Sequence, residues 1–265
     1  MYKNKFKQII LRIYFFLLLQ IGIDIKRFYN TIKTSKRFIS DYYKFKKFYK
    51  GKMIIRPCLQ DWFESAGDVK SEYFVQDLFV SQKIFKANPN KHVDIGSRVD
   101  GFVSNVASFR EIEIFDIRDI EIKLPNIIFK QADFSKDNKV INNYCDSLSC
   151  LHTLEHFGLG RYGDPIDINA YISGFENLAK CIYVGGIFYL SVPIGTERVE
   201  FNANRVFNPQ TIINLSMVNN LKLAEFYIIN KDFNVISVDF ANESEIYKLS
   251  QQDYNLGIFI FTKIL

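Results

Sequence analysis

The densest group of side chains able to do chemistry lies in the loop LHTLEHFGLGRYGD, residues 151–164. This loop holds two of the three histidines of the chain, with carboxylates, an arginine and a tyrosine: His152, Glu155, His156, Arg161, Tyr162 and Asp164. An imidazole titrates near neutral pH, so either histidine can act as a general base, oriented by one of the carboxylates. The guanidinium can hold a substrate phosphate or carboxylate, with the tyrosine beside it. The structural alternative is one histidine packed at a sheet edge, with the glutamate paired to the arginine.

The same loop contains the pattern H-x-x-E-H from His152 to His156, which is also the inverted zinc-protease signature. Zinc binding would require these five residues on a helix and a third ligand downstream. A strand-like run precedes them, Phe157-Gly158 soon interrupts, and no later helix offers an obvious glutamate. We therefore expect no metal site.

Three acidic residues follow three successive strand-like runs. Asp94 lies in HVDIGS before Gly96, Asp116 ends EIEIFD, and Asp133 follows NIIFKQA. A small residue at the end of a first strand lets the backbone approach a ligand, and an acid about 20 residues later can accept ribose hydroxyls. A carboxylate after the third strand can reach an adenine amino group. The series predicts a nucleoside site, although each acid alone is also ordinary turn chemistry.

A further candidate is the segment FNANR, residues 201–205, in the connection after the fifth strand-like run. Asn202, Asn204 and Arg205 can recognise sugar hydroxyls or a diphosphate. They can equally satisfy the backbone of an irregular loop.

The elements that must position these residues alternate between strand-like and helical patterns from Lys91 onward. The five strand-like runs are HVDIGS, EIEIFDIR, NIIFKQADF, CDSLSCLHTL and GGIFYLSVPIG, with helical patterns at DGFVSNVASF and DINAYISGFENLAKCI. After Pro193 we expect a helix begun by Asn208-Pro209, strands at LKLAEFYII and NVISVDF, a helix near ESEIYKLSQQ and a last strand at LGIFIFTKI. This alternation predicts a doubly wound α/β sheet with ligands at the carboxyl ends of its strands.

Charge divides the chain of 265 residues more sharply than its net +5 indicates: residues 1–52 carry +12 and residues 53–265 carry −7. An acidic body excludes a protein that grips nucleic acid with that body. Four scattered cysteines without a C-x-x-C pair (Cys58, Cys145, Cys150, Cys181) indicate neither a disulfide framework nor a thiolate zinc site. We expect a reducing, cytoplasmic location.

Residues 1–52 form a basic N-terminal extension. The apolar run 9–23 is short for a membrane span and lacks a signal-peptidase site, so we expect it to be retained. The aromatic and basic segment that follows suits helices lying on an anionic membrane surface, although packing against the main domain or a partner and a true span stay open. Residues 53–90 are predicted as a connector with one amphipathic helix, broken at NPN, and residues 91–265 as the main domain.

From about Lys91 to Leu265 the sequence resembles the class I S-adenosylmethionine-dependent methyltransferase superfamily. Asp94 and Gly96 match its first-strand motif, Asp116 its ribose acid, Asp133 its adenine contact, and LSCLHTLEHF its fourth-strand motif. Three longer runs, HVDIGSRVDGFVSNVASFR, LHTLEHFGLGRYGDPID and SVPIGTERVEFNANRVF, look like an uncharacterised subfamily often associated with surface-polysaccharide loci. The resemblance implies a Rossmann-like fold and S-adenosyl-L-methionine as cofactor.

The chain departs from the superfamily in its glycine loop, where D-x-G-x-G-x-G is usual. Arg98 and Asp100 stand at the second and third glycine positions. Arg98 could crowd the methionine end of the cofactor, or bind its carboxylate with a charge-assisted hydrogen bond.

Two functions follow from these patterns. The first is a methyltransferase on the cytoplasmic face of the membrane that acts on a sugar nucleotide or lipid-linked glycan. The alternative is a catalytically inactive module of the same fold that binds a glycan or a partner enzyme.

Overall fold

The computed structural model describes residues 2–65, 67, 69–119, 123–136 and 141–264. The chain forms two compact units, residues 1–68 and 69–265. The predicted connector of residues 53–90 falls across this division, because the helix within it belongs to the second unit.

The first unit is built on two helices, α1 (Tyr2–Phe16) and α2 (Ile25–Phe48). A π-helical turn continues α1 to Ile21, and Gly22, at φ +78°, ends it. The Asp24 carboxylate accepts the backbone N–H of Arg27 at 2.9 Å and so caps the start of α2. Within the described residues, neither of these helices nor any other is long and apolar enough to cross a membrane.

The second unit contains an eight-stranded sheet in the order β3-β2-β1-β4-β5-β10-β8-β9. The strands are β1 (His92–Ile95), β2 (Ile112–Asp116), β3 (Ile127–Gln131), β4 (Cys145–Leu151), β5 (Ile182–Ile194), β8 (Leu221–Ile229), β9 (Val235–Ser237) and β10 (Asn255–Lys263). The first five pair in parallel, so their carboxyl ends meet at one edge. Strand β10 runs antiparallel to both β5 and β8.

Helices cover both faces of this sheet: α3 (Glu72–Ala87), α4 (Ser104–Ala107), α5 (Ala170–Cys181), α6 (Pro209–Val218) and α7 (Glu243–Ser250). Residues of α5, α6 and α7 share one buried apolar cluster with the sheet, and residues of α3 and α4 share a second. The predicted doubly wound, Rossmann-like α/β fold with a helical N-terminal extension is confirmed.

The structure differs from the predicted elements in three places. The helix predicted at DGFVSNVASF is mostly a π-helical turn, Val99–Val103, and only four residues of it form α4. Gly185-Gly186 lies inside β5 rather than before it, at a register shift against β4. The FNANR segment takes part in a hairpin of β6 (Arg198–Glu200) and β7 (Asn204–Val206), which alternation alone did not predict.

Candidate active site

A pocket opens at the carboxyl ends of β1 to β4. It brings together seven of the predicted site residues: Gly96, Asp116, Asp133, His152, His156, Tyr162 and Asp164. Its walls are largely apolar, with Ile95, Phe115, Phe134 and Phe157 among them. An apolar cleft with a few convergent polar groups at this edge is the usual ligand site of a parallel α/β sheet.

The turn after β1 is stabilised by the buried side chain of Asp94. This carboxylate is fully buried and accepts Ser149 Oγ at 2.5 Å, Ser97 Oγ at 2.8 Å and the Ser97 N–H at 3.0 Å. Burial raises the pKa of Asp94 to about 7. Asp94 is absent from the described lining of the pocket, so it acts on the shape of the turn.

Gly96 is required by both conformation and packing. Its φ of +73° lies in the left-handed region, and a Cβ at this position would stand 2.4 Å from Cγ2 of Thr153. The structure thus shows a close approach of Thr153, in the loop after β4, to Gly96, and the predicted approach of a ligand stays a prediction.

Arg98 neither crowds the pocket nor lines it. Its guanidinium donates to Asp100, with Nη2 to Oδ2 at 2.6 Å, and the two side chains are 78% and 70% exposed. The two residues that replace the glycines of the superfamily motif pair with each other at the surface.

One side of the pocket carries Asp116 and Asp133, the two acids predicted to bind a nucleoside. Asp116 is paired with Arg118, whose Nη2 is 2.6 Å from Oδ2. Asp133 accepts the Ser135 N–H at 3.0 Å and pairs with Lys136 at 3.1 Å. Burial opposes ionisation of Asp133, but the contacts with Ser135 and Lys136 outweigh it and lower the pKa. Each predicted nucleoside acid thus carries a basic partner from its own loop.

The opposite side centres on Glu155, whose side chain is fully buried. His152 Nδ1 donates to Oε1 of Glu155 at 2.8 Å, and Nε2 of His156 lies 3.8 Å from the same oxygen. Oε2 of Glu155 and Nε2 of His152 are buried without a hydrogen-bond partner. Buried polar atoms left unpaired are costly, so they mark places where a ligand can complete the bonding.

Tertiary contacts fix His152 in an uncommon backbone conformation, with φ at +50°. Its N–H donates to the carbonyl of Ser191 at 3.1 Å and to the Ser191 hydroxyl at 3.2 Å. That hydroxyl in turn donates to Gln76 of α3. The imidazole packs against Tyr73 with ring centroids 4.4 Å apart.

Helix α3 contributes residues that sequence reasoning missed. Glu72 Oε1 lies 3.8 Å from Nε2 of His152 and accepts the Tyr254 hydroxyl at 2.5 Å. Burial and the neighbouring Glu72 raise the pKa of Tyr254, which keeps it a donor. The spacing of apolar residues in α3 predicted a helix but no contribution to the site. The signal in the sequence that could have indicated one was the polar residues of this helix, such as Gln76, which is almost completely buried.

His156 is held by the hairpin after β5. Its Nδ1 donates to the Ala203 carbonyl at 2.7 Å, and burial lowers its pKa. Nη1 of Arg161 donates to the same carbonyl at 2.8 Å. Asp164 accepts the N–H groups of Gly160 and Tyr162, both at 3.1 Å, so it shapes the loop rather than orienting a histidine.

The three predicted residues of the FNANR segment have different surroundings. Arg205 is almost fully buried, and its Nη1 donates to the carbonyls of Glu155 at 3.3 Å and Phe157 at 2.5 Å. Asn204 Nδ2 donates to the Arg205 carbonyl at 3.3 Å, and Asn202 is exposed. Arg205 therefore supports the turn that carries Glu155 and His156.

Among the residues that the structure describes, no group of three or more His, Cys, Asp or Glu side chains could hold a metal ion. The H-x-x-E-H run lies on a strand end and a 3-10 turn, Leu154–His156, rather than on an α-helix.

Comparison with solved structures defines the class of fold. A candidate sarcosine dimethylglycine methyltransferase from Galdieria sulphuraria matches with a TM-score of 0.51 at 12% identity, over 71% of this chain and 85% of that one. Phosphoethanolamine N-methyltransferase 2 of Haemonchus contortus, in complex with phosphomonomethylethanolamine and S-adenosylhomocysteine, also gives 0.51 at 12% identity, over 78% and 57%. The cyclase SpnF gives 0.50 at 8% identity, over 71% and 81%. The fold is that of class I S-adenosylmethionine-dependent methyltransferases, and a cyclase shares it.

The family follows from the sequence itself. Residues 104–253 match the family model described as "Caenorhabditis protein of unknown function, DUF268", which is more than half of the chain. The chain belongs to the DUF268 family. No curated protein matches it.

Proposed function

We propose that this protein is an S-adenosylmethionine-dependent methyltransferase that acts on a sugar nucleotide or lipid-linked glycan in surface-polysaccharide biosynthesis. One observation carries the proposal: the two acids predicted for a nucleoside line the same pocket as the histidines around the buried Glu155. Methyl transfer needs these two halves side by side, because the methyl donor and the base must meet the same acceptor atom.

The residues present fit the cofactor. Asp116 offers carboxylate oxygens to ribose hydroxyls, Asp133 can accept an adenine amino group, and the apolar walls suit an aromatic base. When bound, S-adenosylmethionine supplies an electrophilic methyl group.

The base is His152, supported by Glu155. With Nδ1 donating to the buried carboxylate, the neutral ring presents its lone pair at Nε2, the atom left without a partner. His152 lines the pocket, and its Nε2 is buried 3.8 Å from Oε1 of Glu72, so the acceptor hydroxyl must reach Nε2 beside this carboxylate to give up its proton. Glu155 then stabilises the imidazolium that forms. His156 is the weaker base, since it lies farther from Glu155 and burial lowers its pKa.

The acceptor enters past the loop of residues 160–164. Arg161 and Tyr162 lie beside the pocket on this loop, and exposed Asn202 follows in the hairpin that touches His156 through Ala203. Guanidinium, phenol and amide groups suit the phosphates and hydroxyls of a sugar nucleotide or glycan.

The test is calorimetric titration of S-adenosylhomocysteine into the full chain. We expect the wild-type protein to bind, Asp116→Ala to lose at least tenfold in affinity because a buried hydrogen-bonding carboxylate is removed, and Asp119→Ala, an exposed acid in the same connection, to bind unchanged. A well-folded wild-type protein that binds nothing overturns the proposal.

The second candidate function is a module that binds a glycan or a partner without catalysis. It is favoured by the ion pair between Arg118 and Asp116, because this pair occupies the carboxylate proposed to bind ribose. A measurement of methyl transfer distinguishes the two candidate functions. Labelled methyl transferred to a sugar nucleotide by the wild type but not by the folded Asp116→Ala variant excludes the binding module.

Features of the first unit support the proposal that the protein binds an anionic membrane surface on the cytoplasmic side. Apolar side chains of α2 at helical spacing are all exposed on one face: Ile25, Phe28, Tyr29, Ile32, Ile39 and Tyr43. Thr34 points the other way and is covered, with its hydroxyl donating to the Leu59 carbonyl at 2.8 Å. Because residues 1–52 carry +12, a second copy would be repelled and an anionic bilayer attracted.

Sedimentation with vesicles tests this placement. We expect the full chain to pellet with phosphatidylglycerol vesicles and not with phosphatidylcholine vesicles. Ile32→Asp on the exposed face should release it, and Asn30→Asp, which adds the same charge near the covered face, should not. Equal pelleting of both variants, or a dimer that Ile32→Asp dissociates, would contradict a membrane-binding face.

A further inference from the structure

Arg118 occupies the oxygens that a bound ribose would need. Its N–H and Nε donate to Oδ1 of Asp116 at 2.8 and 2.9 Å, and Nη2 donates to Oδ2 at 2.6 Å. The Asp116 side chain is only 10% exposed, so little of it is free for another donor. A ribose diol and the Arg118 side chain therefore compete for the same carboxylate.

Arg118 also has a second set of neighbours at the pocket. Its guanidinium lies 4.6 Å from the ring centroid of Tyr162, and that of Arg161 lies 5.2 Å from the same ring. The Arg118 side chain is 51% exposed, which leaves it room to move. Two guanidinium groups beside one aromatic ring form a site suited to phosphate, since guanidinium binds phosphate oxygens in a bidentate manner.

We propose that Arg118 exchanges between Asp116 and a phosphoryl group of the acceptor. When the ribose diol takes Asp116, the freed guanidinium joins Arg161 at Tyr162 and completes a diphosphate subsite. This inference rests on the proposed function and deepens it, because a phosphate or diphosphate joins the sugar to its carrier in both acceptor classes named above. It makes Arg118 a specificity residue and makes binding of the nucleoside and the phosphate mutually favourable.

Titration of S-adenosylhomocysteine with and without inorganic pyrophosphate tests the exchange. In the full-length wild type we expect pyrophosphate to tighten S-adenosylhomocysteine binding about tenfold, and the nucleoside to tighten pyrophosphate binding by the same factor, as linkage requires. Arg118→Gln should bind the nucleoside at least as tightly as the wild type without pyrophosphate, and should gain nothing when it is added. Lys123→Gln removes an exposed charge from the same connection and should behave as the wild type.

The outcomes separate this inference from the proposed function. Nucleoside binding without coupling to pyrophosphate, coupling that persists in Arg118→Gln, or weaker nucleoside binding by that variant overturns the exchange and leaves the methyltransferase in place. Absence of nucleoside binding by the well-folded wild type overturns both. Repeating the titration with a uridine diphosphate sugar and with an isoprenyl diphosphate in detergent shows which source of the diphosphate is preferred.

Discussion

The two sides of the pocket handle charge in opposite ways. On the side of the strand-end acids, Asp116 and Asp133 pair with Arg118 and Lys136, which follow two and three residues later and are well exposed. On the histidine side, Glu155 is fully buried between two histidines and keeps an unpaired oxygen. A local ion pair whose basic partner is exposed can exchange with a ligand, whereas a buried cluster holds a fixed geometry. The pocket thus combines one side whose ion pairs can exchange with a ligand and one side, around Glu155, whose geometry is fixed.

The largest effect is expected from a substitution that removes the proposed base, His152, from the histidine side of the pocket. His152→Asn keeps a residue that tolerates positive φ and an amide that can still donate to Glu155, but it removes the base. We expect transfer of labelled methyl to a sugar nucleotide to fall about 1,000-fold. S-adenosylhomocysteine affinity, measured by calorimetry, should stay within about threefold. His156→Asn is the matched variant and should lose less; the opposite ranking would make His156 the base.

Removing Arg205, which supports the turn that carries Glu155, should lower the stability of the protein. Arg205→Met leaves the carbonyls of Glu155 and Phe157 without their buried donor. The free energy of unfolding in urea should fall by about 3 kcal/mol. Arg198→Met in the neighbouring strand of the hairpin, where the side chain is more exposed, should cost clearly less. Equal losses would show that Arg205 has no special role under the Glu155 turn.

Asp94 gives a pH-dependent test of the first turn. Its pKa rises from 3.8 in the unfolded chain to about 7 in the folded protein, so the folded state binds more protons between these values. Its contribution to stability is therefore present at low pH and is lost as pH rises through 7. Asp94→Asn keeps the shape and cannot ionise. Relative to wild type, its free energy of unfolding should gain about 2 to 3 kcal/mol from pH 5 to pH 8.

His92 supplies the control for that profile. This buried imidazole is held between the hydroxyls of Ser147 and Ser149, and burial lowers its pKa to about 3. The folded protein keeps His92 neutral, whereas the unfolded chain protonates it below pH 6.5. Its contribution to stability is therefore lost as pH falls below 6.5, which is opposite in sign to that of Asp94. Because His92 remains in both proteins, it cancels in the difference between them. A difference that does not change with pH would contradict a raised pKa at Asp94.

The smallest effect is expected at Arg98. Since this exposed side chain pairs with Asp100 and does not line the pocket, Arg98→Ala should change S-adenosylhomocysteine affinity less than about twofold. A loss comparable to that of Asp116→Ala would mean that Arg98 reaches the cofactor carboxylate when the ligand binds, as the sequence also allowed.

The placement of Asp116 and Asp133 at one edge of the sheet was predictable from the sequence because its determinants are local. A β-branched run followed by an acid indicates a strand end, and the carboxyl ends of parallel strands meet at one edge. Asp116 and Asp133 therefore line one pocket, and their binding of a nucleoside stays a prediction. The pairing of Asp116 with Arg118 was equally close in the sequence, but a charge two residues away has no fixed partner until the loop folds.

The sequence by itself determined most of the elements of the second unit, through apolar period and through caps such as Ser71 before α3 and Asn208 before α6. It also placed the acids at strand ends and the histidines in one loop. Tertiary structure alone decided that β10 runs antiparallel between β5 and β8, because the pattern of a buried strand has no direction. It alone brought Glu72 of α3 to His152 and Arg205 to the Glu155 turn, because contacts between residues 50 or more positions apart depend on how elements pack.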